Sequence, residues 1–267
     1  MMQNQTLPSP RAKLAAVLRA AKTIISIDLT AETLGLGRHE ASKLLSRWLA
    51  QGWLRRVGAG LYVSVPLDLA GSEQVMEDPW VLVPTLFADS YIGGWTAAHH
   101  WELTEQLFNN TVVLTTNRIT KKYVTAQGVI FFLHRVPNKP PFGIKTIWRG
   151  STKVPISDAE RTLIDMIAMP EIGGGIDHIA DCLETYLSSK TSNYKLLIEY
   201  AEQFGNGAVF KRLGFLAEYR FHHQELSMAC RDRLTQGNTK LDPALSCTQL
   251  ITSWRIWIPA RYRGIVK

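Results

Sequence analysis

"GWLRRVGAGLYVSVP", Gly52 to Pro66, is the stretch on which the reading of this chain turns. Two short apolar runs flank Gly58-Ala59-Gly60, so the spacing predicts a β-hairpin with strands at Trp53–Val57 and Leu61–Val65. A lone hairpin is marginal in water and needs a partner for its apolar face. The residues before it supply one. "RHEASKLLSRWLAQG" carries Ala41, Leu44, Leu45, Trp48 and Leu49 at helical spacing and stops at Gly52, which predicts an amphipathic helix feeding directly into the hairpin.

Upstream, "PRAKLAAVLRAAK" reads as a first helix with Leu14, Val17, Leu18 and Ala21 on one face, and "LTAETLGL" as a second, short one broken by Gly35 and Gly37. Helix, short helix, turn, helix and glycine hairpin spell a winged helix-turn-helix. The third helix then turns Arg38, His39, Lys43, Ser46 and Arg47 outward with Ser42 on the flank. In the hairpin, Trp53, Val57, Leu61 and Val63 are expected to pack on the helices while Arg55 and Arg56 reach phosphates beside a DNA groove. A protein-interaction module of the same fold is the competing reading. Gly37 stands where a Ser or Thr cap is expected, so the third helix starts without a side-chain cap.

Charge follows the same division. Residues 1–66 hold nine Lys/Arg against three Asp/Glu, a net +6 out of the +7 of the whole chain. Positive charge concentrated in this way attracts phosphate backbones through counterion release, whereas a solvated face is the plain alternative. Leu67 to Asn110 contains seven acids and no Lys or Arg. Arg118 to Lys153 then has eight cations and no acid, among them Lys121, Lys122, Arg135, Lys139, Lys145 and Arg149, and forms a candidate second surface for nucleic acid or an acidic protein.

With 267 residues, 46% of them hydrophobic, the chain has material for two domains, placed at 1–70 and 71–267. The expected class is α+β, a winged helix-turn-helix followed by a larger mixed α/β domain. "LDLAGSEQVMEDP" reads as an acidic linker. "TVVLTTN" and "VIFFLHRV" read as strands, and "SDAERTLIDMIAMP" as a helix capped by Ser157 with Glu160 as its capping-box partner and Leu163, Ile164 and Ile167 buried. Helices follow at "IDHIADCLETYLSS", "YKLLIEYAEQF" and "GAVFKRLGFLAEYR". In the aromatic and basic tail, Trp254, Trp257 and Tyr262 are read as cover for the second core, with stacking on single-stranded bases as the alternative.

Neither a signal sequence nor a membrane-length apolar run is found, so the cytoplasm is expected. Cys182, Cys230 and Cys247 are odd in number and outside any CxxC, which points to reduced thiols rather than disulfides or zinc. The chain lacks a P-loop, a GxSxG and an HExxH. His99-His100 with Glu102 and His222-His223 with Glu225 are the clusters nearest to catalytic ones, but adjacent helix residues diverge by about 100° and seldom share a metal. "GGGIDHIAD" resembles a phosphate loop before a helix and equally a flexible turn. No catalytic residue, cofactor or metal is therefore assigned.

Taken together, "GAGLYVSVP", "YIGGWTAAHHWELTEQ", "VVLTT", "VPISDAERTLIDMI" and "NGAVFKRLGFLAEY" resemble the AbiEi family of type IV antitoxins and transcriptional regulators, over about Arg11 to Tyr219. The resemblance implies a winged helix that binds inverted repeats of double-stranded DNA in its own promoter. It also implies a larger domain that counteracts a nucleotidyltransferase-like toxin, with no enzymatic activity of its own. Two other classes stay open: a stand-alone winged-helix transcription factor whose large domain senses a ligand or dimerises, and a nucleic-acid-processing enzyme with an unrecognised site.

Overall fold

The first helix, α1 (Pro10–Ala20), starts where Ser9 accepts a hydrogen bond from the Ala12 amide and Pro10 needs no donor partner. The computed structural model describes residues 9–21, 24–65, 78–137 and 140–265. A two-residue strand β1 (Ile25–Ser26) leads into α2 (Ile27–Leu34), capped by the Ser26 hydroxyl and closed by Gly35 in the left-handed conformation. Helix α3 (Arg38–Ala50) follows, then β2 (Leu54–Gly58) and β3 (Leu61–Ser64).

These three strands form an antiparallel sheet in the order β1-β3-β2, with a bulge between Arg56 and Gly58. Val17, Ile25, Leu45, Trp48, Leu54 and Tyr62 pack into one core. Of the hairpin residues, Leu54 and Tyr62 are buried in this core and Trp53 packs against it as expected, whereas the expected Val57, Leu61 and Val63 are not among its residues. The register explains the change. Leu54 pairs with Ser64 and Arg56 with Tyr62, so Leu54 and Tyr62 share a face, while Arg55 pairs with Val63 on the other. Val57 and Val63 are buried outside this core, and Leu86 of α4 (Val83–Leu86) comes up against Gly58.

The chain divides into two compact units, and the boundary expected at residue 70 lies outside the described residues. The first unit runs to Ala88 and also takes in residues 124–130 and 147–154. Hydrogen bonds from Gln127 to the hairpin, and Arg149 against Asp78 and Trp80, tie these later segments to the first unit. Most of the acidic linker, residues 67–77, lies outside the described residues. Its last positions are described: Asp78 caps a 3-10 turn at Pro79–Leu82 that continues into α4.

A second sheet has six strands: β4 (Ser90–Ile92), β5 (Asn110–Thr115), β6 (Tyr123–Ala126), β7 (Val129–Arg135), β8 (Ile144–Arg149) and β9 (Thr152–Ser157), ordered β6-β7-β5-β4-β9-β8. β4 runs antiparallel to β5 and parallel to β9. Between β4 and β5, α5 (Gly94–His100) begins at a residue that must be glycine: φ is +56° and a Cβ would lie 2.4 Å from the Ile172 carbonyl oxygen.

The second unit's main core is helical, built by α6 (Ala159–Ala168), α7 (Ile176–Ser188), α8 (Tyr194–Phe204), α9 (Gly207–Tyr219) and α10 (Gln224–Arg231). Leu163, Ile164 and Ile167 are fully buried, as their spacing predicts. The N-cap of α6 is Asp158 and not Ser157: Asp158 accepts from the Arg161 amide at 2.9 Å, whereas the buried Ser157 hydroxyl bonds Ile92 and Thr162. The expected capping-box partner, Glu160, instead accepts from the Tyr186 hydroxyl at 2.7 Å. A small third sheet, β10 (Thr239–Lys240), β12 (Ile256–Pro259) and β11 (Cys247–Ile251), closes the tail in the order β10-β12-β11. Trp254 is fully buried and Tyr262 nearly so, both in the main core as the covering role requires, whereas Trp257 is half-buried and not among the residues of that core. The architecture is α+β throughout.

Candidate nucleic-acid interface

Helix α3 presents two chemically distinct faces. Ala41, Leu45 and Trp48 are buried, while Arg38, His39, Lys43, Ser46 and Arg47 are exposed and Ser42 is half-buried on the flank. The periodicity that sends Trp48 into the core therefore sends the cations out. Gly37 offers no capping side chain, but Glu40 reaches back and accepts from the Gly37 amide at 3.2 Å, so half of a capping box holds the helix start. Arg38 pairs with Asp28 of α2, both side chains well exposed. Exposed pairs of this kind contribute little to stability, and the guanidinium exchanges one anion for another at small cost.

The two hairpin arginines differ. Arg56 is exposed, with its Nε donating to the Gly58 carbonyl at 3.0 Å. Arg55 is half-buried, and its Nη1 donates to Gln127 Oε1 at 3.3 Å. Gln127 and Gly128 form a tight turn between β6 and β7, both with positive φ. Nothing near Arg55 in the chain signals this contact, because Gln127 lies 72 residues away.

The basic run does not form one surface of bare cations. Acids remote in sequence compensate part of it: Lys122 lies 2.7 Å from Glu171, and Arg149 lies 3.7 Å from Asp78. Lys145 stands over Trp101, and Arg135 donates to the Thr116 carbonyl at 3.4 Å. Lys121 is exposed, and Lys139 lies outside the described residues. Arg149 also belongs to the first unit, while Lys121, Lys122, Arg135 and Lys145 belong to the second. Lys122 and Arg149 are therefore compensated by acids of the chain itself.

Of the two histidine-rich clusters, one keeps a close pair, with His223 Nδ1 3.4 Å from Glu225. His99 is exposed on α5, His100 packs edge-on to Trp101, and His223 caps α10 by accepting from the Leu226 amide at 3.3 Å. Among the described residues, His, Cys, Asp and Glu form no group that could hold a metal ion. The glycine loop before α7 is already occupied by the chain's own anion. Buried Asp242 accepts from the Ile176 amide at 3.0 Å, where a phosphate would have to bind. The three cysteines are free, and burial pushes the Cys182 and Cys230 thiols up to about 12, which makes them inert at neutral pH. No helix among the described residues is long and apolar enough to cross a membrane.

Neither a family model nor a curated protein matches the chain. Its fold is similar to the crystal structure of the RV2827C protein from Mycobacterium tuberculosis, with a TM-score of 0.64 at 13% identity, over 96% of this chain and 93% of that one. At that identity the likeness concerns the fold alone.

Proposed function

We propose that the protein is a DNA-binding transcriptional regulator, and that it serves as the antitoxin and autorepressor of a toxin operon. The observation that carries the DNA reading is the face of α3: five exposed polar or cationic residues, Arg38, His39, Lys43, Ser46 and Arg47, opposite a buried Ala41-Leu45-Trp48 stripe. The element order α1, β1, α2, α3, β2, β3, with its antiparallel β1-β3-β2 sheet, supports the winged-helix reading, in which a third helix enters the major groove. Lys43 and Arg47, one helical turn apart, are the residues assigned to base edges. Arg38, Arg56 and, less directly, Arg55 are assigned to phosphates.

The antitoxin role rests on the resemblance to the AbiEi family carried by "YIGGWTAAHHWELTEQ" and "SDAERTLID". A reporter under the chain's own promoter tests the regulator: repression by the full chain, and its loss in the Lys43→Ala/Arg47→Ala protein, is the expected result. The neighbouring reading frame tests the antitoxin. A nucleotidyltransferase-like product whose growth arrest is relieved by the full chain supports it, and arrest that persists contradicts it.

A further inference from the structure

A cavity of about 530 Å³ lies wholly within the second unit, with Tyr91, Phe142 and Phe204 among its walls and the Arg161 guanidinium lining it. That volume is in the range of sites for small organic ligands. Arg161 is only 6% exposed. Its Nε donates to Asp165 Oδ1 at 2.8 Å and its Nη2 to the Tyr91 hydroxyl at 3.0 Å. Tyr91 in turn donates to Asp165 Oδ2 at 3.0 Å.

Nη1 has no hydrogen-bond partner among the described residues. The only fully enclosed side-chain nitrogen or oxygen there without a partner is Trp48 Nε1, so Nη1 reaches accessible space. For Arg161 that space is the cavity.

The position of this guanidinium is tightly constrained. Its carbon stands 3.9 Å from the Phe142 ring centre and 5.3 Å from that of Phe204. Gly143 brings the backbone so close that a Cβ there would lie 2.7 Å from both Arg161 Cβ and Tyr200 Cε2, and its carbonyl accepts from the Asp158 amide at 2.8 Å. An arginine buried only to neutralise Asp165 would gain most by giving the carboxylate two donors of its fork. Here Asp165 takes one donor and Tyr91 another, and Nη1 is left without a partner among the described residues.

We propose that this cavity is a binding site for a small organic monocarboxylate, its carboxylate on Arg161 Nη1 and its apolar body against Phe142, Phe204 and Tyr91. Guanidinium recognises carboxylate through charge-assisted hydrogen bonds, strongest where aromatic walls exclude water. Asp89, an exposed acidic residue among those lining the cavity, opposes dianions and polyanions more than a monoanion, so a phosphate monoester or a nucleic-acid backbone is the wrong occupant.

Calorimetric titration of the full chain with benzoate, benzamide and phenyl phosphate tests this. Benzoate is expected to bind with one site per chain, at least about tenfold more tightly than uncharged benzamide or dianionic phenyl phosphate. Thr116→Phe and Ile144→Phe fill the cavity from two half-exposed lining positions without touching Arg161. In whichever of these retains the wild-type melting transition, benzoate affinity falls at least about tenfold. Arg161→Lys, which keeps the charge but loses the fork, also weakens benzoate. Benzoate binding no tighter than benzamide, phenyl phosphate binding tighter than benzoate, or undiminished benzoate binding to a folded cavity-filled variant would overturn the proposal.

Discussion

The Gln127 side chain accepts a hydrogen bond from Arg55 Nη1 and, through its own Nε2, donates to the Arg56 carbonyl, both at 3.3 Å. One residue at the tip of a distant turn therefore holds two successive positions of the hairpin, and it separates the two arginines in function. Arg55 is part of the packing, while Arg56 is available. Arg56→Ala is expected to weaken all DNA sequences alike and to reduce the salt slope by about one. Arg55→Ala is expected to lower stability by about 1 kcal/mol through the lost hydrogen bond, with a smaller effect on DNA. Parallel urea melts and DNA titrations check the order; a larger DNA defect in Arg55→Ala would reverse the assignment.

Asp242 serves as an internal anion for α7. Besides the Ile176 amide it accepts from the Ala244 amide at 2.8 Å, so two backbone donors depend on one buried carboxylate. Asp242→Ala should cost about 1–3 kcal/mol, because the buried Ile176 amide is left without its acceptor, and Asp242→Asn should cost less. The urea midpoint of the full chain reads both. A neutral Asp242→Ala substitution would contradict the capping role.

Asp165 sets a pH dependence of stability. Burial raises its carboxyl to about 6, although the Arg161 guanidinium and the Tyr91 hydroxyl pull it down. A raised folded-state value means that the folded chain holds the proton more tightly than the unfolded one. The group's stabilisation is therefore complete below about pH 4, near the unfolded carboxylate value, and is lost as pH rises through about 6. Asp158, also raised by burial, acts in the same direction, so the informative quantity is the difference between wild type and Asp165→Asn. That difference should shift in favour of Asp165→Asn between pH 4 and pH 7 in thermal melts. A constant difference would remove Asp165 as the source.

Helical periodicity and glycine punctuation made α1 to α3 legible, and with them the outward set on α3, since a stripe that must bury Trp48 leaves Lys43 and Arg47 no other direction. The hairpin turn was legible for the same reason, but its inward face was not. The bulge between Arg56 and Gly58 and the pairing of Arg56 with Tyr62 choose that face, and neither leaves a local signal. β8 and β9 do carry β-branched residues, Ile144, Thr146 and Ile147 in one and Thr152, Val154 and Ile156 in the other, but Pro155 within β9 argues locally against a strand, and burial on that sheet is decided by strands far away in the chain. Long-range polar partners were equally hidden: Gln127 for Arg55, Glu171 for Lys122 and Asp242 for the α7 amide. Arg161 and Asp165 at i and i+4 were visible as a helical pair, but Tyr91, which completes their triangle, was not.

The central claim is that α3 reads duplex DNA. Its most direct test is fluorescence anisotropy of a labelled duplex from the chain's own upstream region, titrated with wild type and with the Lys43→Ala/Arg47→Ala protein at about 50 and 200 mM salt, against a scrambled duplex. Wild type is expected to prefer the upstream duplex and to lose affinity steeply with salt, as phosphate contacts require. The double variant should lose about 1–3 kcal/mol per side chain on that duplex and bind the two sequences alike. Wild type that binds neither duplex at low salt, or a double variant that keeps the preference, would contradict the account.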